Sequence, residues 1–229
     1  MIIQKFMMIL IALFSFRVIG LVQDKSNENQ IKEVSKIEYQ KFYLHTQSRL
    51  PAWRSSFKKY AQQNDIPWTL LAAVAYQESK WDQMAVSHTG VKGMMQITRS
   101  TAEYIGIDDR EDPIQSIKGG AFYLKYLYSK TPANLSNFEK WAQALAAYNM
   151  GWAHLRDARR LALELNHSPN QWKEFKKIIP KLEEEKYNSN LTFGYARGRE
   201  TVQFVDGVMG YYKLLNQSST LPLLTSRDF

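Results

Sequence analysis

Residues 70–80 read Leu-Leu-Ala-Ala-Val-Ala-Tyr-Gln-Glu-Ser-Lys. Within this stretch Leu71, Val74, Ala75 and Glu78 are spaced i, i+3, i+4 and i+7, which places one carboxyl group on the apolar face of a helix. Burial there would raise the pKa of Glu78, because loss of hydration disfavours the charged form. A glutamic acid that keeps its proton near neutral pH can act as a general acid. The alternative is a glutamate at a frayed helix end, turned to water.

The rest of the chain predicts an all-α domain. Apolar residues at three- and four-residue spacing, from Trp53 to Ala61, predict a helix ahead of residues 70–80. No long alternating strand is present, and only a small irregular hairpin is predicted, near residues 84–93. The acidic turn at residues 108–112 is typical of an N-terminal cap. The remaining predicted helices cover residues 94–104, 113–129, 138–150, 152–165 and 192–215.

Composition narrows the classes of function. The chain of 229 residues has no cysteine, which excludes disulfides, thiol catalysis and thiolate metal sites. Its net charge of +8 favours an anionic partner: nucleic acid, an acidic membrane surface or an acidic cell-wall polymer. The basic clusters lack interleaved aromatic residues, so no nucleic-acid partner is expected. The four histidines show no ligand spacing, so no metal site and no cofactor is expected.

The N-terminal region predicts export. Lys5 precedes an apolar run from Phe6 to Phe16, which is too short to span a bilayer by itself. Residues 1–22 are therefore predicted to be a signal peptide, with an uncleaved N-terminal anchor as the alternative. Three further parts are predicted: a polar spacer or packing helix over 23–50, a catalytic domain over 51–216 and a C-terminal tail over 217–229.

Three segments resemble a known family. They are Ala75-Tyr-Gln-Glu-Ser-Lys-Trp-Asp82, Gly90-Val-Lys-Gly-Met-Met-Gln-Ile97 and Ala144-Leu-Ala-Ala-Tyr-Asn-Met-Gly151. In this order they resemble the lytic transglycosylases of the goose-type lysozyme superfamily, most closely the catalytic module of a membrane-bound member. The resemblance covers about residues 50–215, includes Gly194-Tyr-Ala-Arg-Gly198, and implies a lysozyme-like helical fold.

The resemblance also implies site residues. Glu78 matches the single catalytic acid of the family, and Gly90 and Gly93 would let the loop backbone approach the sugar closely. Met94 and Met95 are expected in the core. The residues expected to bind substrate are Ser79, Gln96, Tyr148, Asn149 and Tyr195.

The family chemistry is cleavage of the MurNAc–GlcNAc β-1,4 bond of peptidoglycan without water. The implied product is a 1,6-anhydro-MurNAc end, the partner is the glycan strand, and the location is the periplasm, with attachment to the inner or outer membrane left open. Two alternatives stay open: a non-catalytic peptidoglycan-binding or secretion-scaffold protein, and a goose-type lysozyme that hydrolyses the same bond. Hydrolysis usually needs a second carboxylate. Asp82 and the acidic turn at residues 108–112 are weak candidates for it.

One departure concerns control of activity. The full-length relative carries a solute-binding-like module ahead of its catalytic module, and residues 23–50 leave no room for one. Regulation through such a module is therefore not expected here.

Overall fold

The computed structural model describes residues 36–218, which form an all-α domain, and it confirms the predicted fold class. Within that range no strand occurs, and one antiparallel bridge, Val86 to Lys92, closes the predicted hairpin. The α-helices are α1 Lys36–Ser48, α2 Leu50–Gln63, α3 Trp68–Ser79, α4 Arg99–Ile105, α5 Pro113–Lys130, α6 Asn137–Met150, α7 Trp152–Glu164, α8 Trp172–Ile178, α9 Glu185–Asn188 and α10 Gly198–Ser218, with a 3-10 helix at Ile179–Glu183.

Helix α3 is the central element of the described domain. Its residues from Thr69 to Tyr76 are all buried, and it packs against α2, α5 and α10. Gly207 permits the close contact with α10, because a Cβ there would lie 2.5 Å from Oε1 of Gln77. The helix that carries Glu78 is therefore held on several sides, which fixes the position of its last turn.

Helix α1 contributes to the same core. Phe42 is buried and packs its ring against Tyr76, Trp81 and Tyr211, at centroid distances of 4.8, 5.7 and 5.0 Å. Ile37, on the same helix, is 65% exposed. The boundaries at residues 50 and 216 stay predictions. The predicted leader at 1–22 and nearly all of the predicted tail lie outside the described residues.

Two predicted helices are wrong at their N-terminal ends. The stretch 94–98 is not helical, because Gly93 and Gln96 adopt φ values of +100° and +49°, and α4 begins at Arg99. The last helix begins at Gly198 and not near residue 192. There, the carboxylate of Asp157 accepts hydrogen bonds from the backbone N–H groups of Thr192 and Phe193, which replace helical bonds.

The sequence analysis also missed a helix. No helix is predicted above for the residues of α8, although Trp172, Phe175 and Ile178 are spaced by three residues and all three are buried. That periodicity was the available signal. None of the helices described in residues 36–218 has the length and apolar character needed to cross a membrane.

Candidate active site

A sharp turn ends the central helix directly after Glu78 and Ser79. Lys80 and Trp81 both adopt left-handed backbone conformations, with φ of 55° and 57°. The N–H of Lys80 bonds to the carbonyl of Tyr76 at 2.8 Å, and the buried indole of Trp81 donates to the carbonyl of Ala72 at 2.8 Å. The indole thus locks the returning chain against the helix, and Glu78 is held on the last turn.

Glu78 has the electrostatic character of a general acid. Burial raises the pKa of its carboxyl group from 4.5 to about 8; the positive charge of Lys80 opposes this rise and the negative charge of Glu200 adds to it. No hydrogen bond or ion pair to this carboxyl group is formed by any residue in the described range 36–218. The group therefore carries a proton at neutral pH and its oxygens remain available to a ligand.

Tyr148, at the end of helix α6, is within electrostatic reach of Glu78. Its hydroxyl donates to the carbonyl of Met95 at 2.9 Å. Burial, followed by the negative charge of Glu78, raises the pKa of Tyr148 well above its usual value, so the phenol stays protonated and acts as a donor. The structure thus places Tyr148 within electrostatic reach of Glu78 and bonds it to the loop at residues 93–97.

That loop is held from both sides at Met95. Its N–H donates to Oγ of the buried Ser116 at 3.1 Å, while its carbonyl accepts from Tyr148. Its side chain packs where Gly120 has no Cβ. Met94 and Met95 are fully buried, as predicted for core residues. Ser116 was missed by the sequence analysis, because a lone serine in a helix carries no signal of a distant partner.

Gly93 allows the loop backbone to pack closely against another backbone segment of the protein. A Cβ at Gly93 would lie 2.5 Å from the carbonyl oxygen of Arg110, so the missing side chain allows two backbone segments to touch. Gly90 has φ of +78° and open space around it. The structure therefore assigns Gly93 a role in holding the loop, and the predicted approach of backbone to sugar at these two glycines stays a prediction.

Gln96 presents a buried acceptor without a partner. Its Nε2 donates to the carbonyls of Gly93 at 2.9 Å and Ala85 at 3.3 Å, which fixes the side chain between the two arms of the hairpin. Its Oε1 is buried and accepts no hydrogen bond. An orphaned buried acceptor is costly unless a ligand supplies a donor, so this oxygen suits a hydroxyl or amide group of a substrate.

The other predicted binding residues have different surroundings. The hydroxyl of Ser79 is buried and donates to the carbonyl of Ala75 at 2.9 Å. Oδ1 of Asn149 accepts from Thr201 at 2.8 Å and joins α6 to the start of α10. Tyr195 is 58% exposed and makes no hydrogen bond to the other predicted residues in the described part of the chain. Substrate contact by these three stays a prediction.

Two carboxylates bear on the chemistry. Asp82 is partly exposed, lies 3.9 Å from Arg49, and caps the N–H of Met84. Glu200, which the sequence analysis did not consider, acts electrostatically on Glu78, is exposed and pairs with Arg197 at 3.6 Å. Only the tertiary structure reveals Glu200, because more than a hundred residues separate it from Glu78.

Asp112 caps α5 by accepting from the N–H of Gln115, as predicted for the acidic turn.

Ser116→Ala should destabilise the site loop. The N–H of Met95 would be left buried without a partner, which costs about 1–3 kcal/mol of unfolding free energy. Chemical denaturation measures the loss. Ser129→Ala on the same helix is the control, since its exposed hydroxyl bonds only locally, and it should change stability by less than about 0.5 kcal/mol. Equal losses for the two variants would contradict the anchoring role of Ser116.

Comparison with known proteins shows the family to which this fold and this arrangement of residues belong. The chain belongs to the transglycosylase SLT domain family, whose match covers residues 55–170. Among curated proteins it is similar to membrane-bound lytic murein transglycosylase F of Shewanella frigidimarina, with 41% identity over 209 residues, covering 88% of this chain and 44% of that protein. The protein of the same name from Serratia proteamaculans is 44% identical over 187 residues, covering 80% and 38%.

A solved structure supports the fold alone. The lytic transglycosylase Slt of Pseudomonas aeruginosa, in the form of an inactive mutant, matches with a TM-score of 0.53 and 22% identity, covering 74% of this chain and 24% of that one. These findings confirm the family resemblance and the lysozyme-like helical fold. The chain spans less than half the length of the curated relatives given above.

Proposed function

We propose that this chain is a peptidoglycan lytic transglycosylase that cleaves the MurNAc–GlcNAc β-1,4 bond. The observation that carries the proposal is the position of Glu78 on the last turn of a buried helix, where burial raises the pKa of its carboxyl group to about 8 and Tyr148 is within electrostatic reach. Membership of the SLT family and the names of the relatives support the same activity. A general acid of this kind is what glycosidic bond cleavage needs.

The reaction needs only one carboxyl group. Protonated Glu78 donates its proton to the glycosidic oxygen, and the bond from that oxygen to C1 breaks to give an oxocarbenium-like sugar. The resulting carboxylate takes the proton of the substrate's own C6 hydroxyl, whose oxygen bonds to C1. The products are a 1,6-anhydro end and a free hydroxyl on the departing strand, and Glu78 is protonated again. An attacking group within the same molecule gains from proximity.

The two alternative functions have less support. A hydrolase would use a second carboxylate as a base or nucleophile. Asp82 already caps its own turn, and Glu200 is exposed and paired with Arg197. A non-catalytic scaffold would have no need of a carboxyl group with a raised pKa and no internal partner.

Analysis of products from intact cell-wall sacculi tests the proposal. Purified protein should release soluble muropeptides whose mass is lower by one water than that of the reducing-end products of a hydrolase. Reducing ends would show the lysozyme reaction, and an absence of released fragments would favour the scaffold. Either result would overturn the proposed reaction.

We also propose that the protein is exported and acts in the periplasm. The names of the relatives describe membrane-bound murein enzymes, and the polymer that they are named for lies outside the cytoplasmic membrane. The basic balance of the chain favours association with an anionic polymer or an anionic membrane surface.

The activity should fall at alkaline pH. Glu78 must be protonated to act as the acid, so kcat/KM should decline as the pH rises through about 8, the pKa of that group in the free enzyme. Initial rates on soluble glycan strands, taken as a function of pH, measure this alkaline decline. Circular dichroism at each pH monitors the fold. A constant rate from pH 6 to pH 10 would contradict the role of Glu78 as the acid.

Two neighbouring charges should shift the alkaline limb of the pH–rate profile in opposite directions. Glu200→Gln removes a negative charge that raises the pKa of Glu78, so the limb should shift to lower pH with most of the activity retained. Lys80→Met removes a positive charge that lowers this pKa, so the limb should shift to higher pH. The pH profiles of the two variants form a matched pair. A loss of activity in Glu200→Gln at every pH would instead indicate a second catalytic carboxylate.

A further inference from the structure

Helix α1 exposes four large apolar or aromatic side chains to solvent. Ile37 and Leu44 are 65% and 63% exposed. They are seven positions apart, so they lie on one ridge of the helix, on the side opposite the buried Phe42 that joins α1 to the core. Tyr39 and Tyr43, four positions apart, flank this ridge and are also exposed. One side of α1 therefore packs on the domain, and the other presents large side chains to solvent.

The positive charge of the chain is concentrated in the same region. Residues 36–63, which form α1, α2 and the link between them, contain six lysines and arginines and one acid, Glu38, for a net charge of +5. Residues 64–229 contain 20 lysines and arginines and 18 acids, for a net charge of only +2. The predicted catalytic and substrate-binding residues all lie in that nearly neutral part. Attraction of a glycan to the candidate active site therefore does not account for the positive charge of α1 and α2.

These positive charges are accessible to an external partner. Lys41, Arg54 and Lys58 are exposed, and no carboxylate lies within 4 Å of them in the range 36–218 that the structure describes. Lys41 comes four positions after Ile37 and three before Leu44, so it lies on the same ridge of α1. The exposed face of α1 thus combines apolar and positively charged groups.

An anionic bilayer matches both properties of this face. A hydrated acidic polymer would attract the positive charges but has no apolar layer to receive isoleucine and leucine. A bilayer has a negatively charged surface above an acyl layer that takes up apolar side chains. Tyrosine is enriched at that boundary, because its ring is apolar and its hydroxyl group is polar. A charged helix of 13 residues is suited to lie in the plane of such a surface and is too short to cross it.

We propose that the exposed face of α1, together with the basic residues of α2, docks on a bilayer surface rich in anionic phospholipid. Ile37 and Leu44 enter the boundary between headgroups and acyl chains, while Lys41 and Arg54 supply attraction to the lipid phosphates. The candidate active site is carried by other elements and stays available to a glycan. This docking goes beyond the proposed function, and it requires neither glycan cleavage nor the apolar run at residues 6–16.

Sedimentation of the full-length protein with lipid vesicles tests the docking face. The vesicles contain phosphatidylcholine alone, or phosphatidylcholine with an equal amount of phosphatidylglycerol. Wild type should bind the mixed vesicles at least about tenfold more tightly, and added salt should reduce this preference. Any contribution of residues 1–22 is common to all variants and cancels when they are compared. Equal affinity for the two kinds of vesicle would overturn the proposal.

One pair of double variants tests the positive charges. Lys41→Gln combined with Arg54→Gln should weaken binding to the mixed vesicles about tenfold, because each basic residue near the surface adds to the attraction. Arg156→Gln combined with Lys173→Gln is the matched control, since it removes the same two charges from exposed positions on α7 and α8. Its affinity should change by less than about twofold, because more distant charges are screened. An equal loss in both double variants would reduce the effect to net charge and refute a specific docking face.

Two matched leucines test the apolar part of the face. Leu44→Ser should weaken binding to the mixed vesicles about tenfold, because it removes a leucine side chain from the acyl boundary. Leu163 on α7 is 64% exposed, against 63% for Leu44, so Leu163→Ser is an equivalent change elsewhere on the surface. It should leave the affinity unchanged. The same affinity in Leu44→Ser and Leu163→Ser would contradict the insertion of α1.

Sedimentation with cell-wall sacculi distinguishes a membrane from an acidic polymer. In the Glu78→Gln background, which should not digest the sacculi, the Lys41→Gln and Arg54→Gln changes should leave sacculus binding unchanged. Weaker sacculus binding with unaltered vesicle binding would identify a polymer contact and refute the membrane proposal. Initial rates on soluble glycan strands should be equal in Leu44→Ser and wild type. Failure of the docking face and failure of the catalytic proposal therefore give different results.

Discussion

Glu78→Gln should abolish the release of muropeptides, with a fall in kcat of at least about 10²–10⁴. The amide keeps the size of the side chain but cannot donate the proton that the glycosidic oxygen needs, and it cannot accept the proton of the C6 hydroxyl. Because the same group serves both half-reactions, the loss should appear in kcat, and KM should change little. Time courses on sacculi with wild type and variant at equal concentration measure it.

The fold of this variant can be checked through its stability. The pKa of Glu78 is 4.5 as a free carboxyl group and about 8 in the folded protein, so the folded state binds more protons than the unfolded state between these values. Wild-type stability should therefore fall as pH rises through this window. Glutamine does not titrate, so the variant should match wild type near pH 5 and melt at a higher temperature at pH 8. Retained activity, or a variant less stable at pH 8, would contradict the assigned role.

Gly93→Ala should give the second largest effect, on stability and activity together. A Cβ there would lie 2.5 Å from the backbone oxygen of Arg110, and alanine would be strained at a φ of +100°. Neither segment can yield easily, since Met95 is held by Ser116 and Tyr148 and Arg110 donates to the carbonyl of Ile97 at 3.0 Å. Strain and overpacking together should cost about 3 kcal/mol of unfolding free energy. Denaturant unfolding measures this cost.

Gly90→Ala is the matched control for that substitution. It also replaces a glycine with positive φ in the same hairpin, but no atom lies within 4 Å of the new Cβ. Its cost should be limited to backbone strain of about 1–2 kcal/mol, with activity retained at permissive temperature. If Gly90→Ala were as damaging as Gly93→Ala, the contact with Arg110 would not be the reason for glycine at position 93.

Much of the helical architecture could be predicted from local patterns. The i, i+3, i+4 spacing around Val74 and the breaks at Pro113 and Gly151 lie within single elements, so neighbouring residues determine them. The predictions failed where distant groups compete for the backbone. Asp157 captures the N–H groups of Thr192 and Phe193, and no pattern within residues 192–197 reveals that partner.

The residues of the candidate site also fall into two groups, those that local motifs predict and those that only the tertiary structure reveals. Motifs that resemble a family predict Glu78, Gln96 and Tyr148 as site residues. They could not identify Ser116, which anchors Met95, or Glu200, which adjusts the pKa of Glu78. Both act on residues that lie far from them in the chain, and a serine or an exposed glutamate has no local pattern that indicates a partner.

The amino-acid sequence by itself determined the helical class and the family, and it predicted the acid at position 78, because these depend on side-chain periodicity and on short motifs. The tertiary structure alone decided the protonation state of that acid and the shape of the surface around it. Hydration of a carboxyl group depends on every element packed against it, and Glu200, which acts electrostatically on that group, lies more than a hundred residues away in the chain.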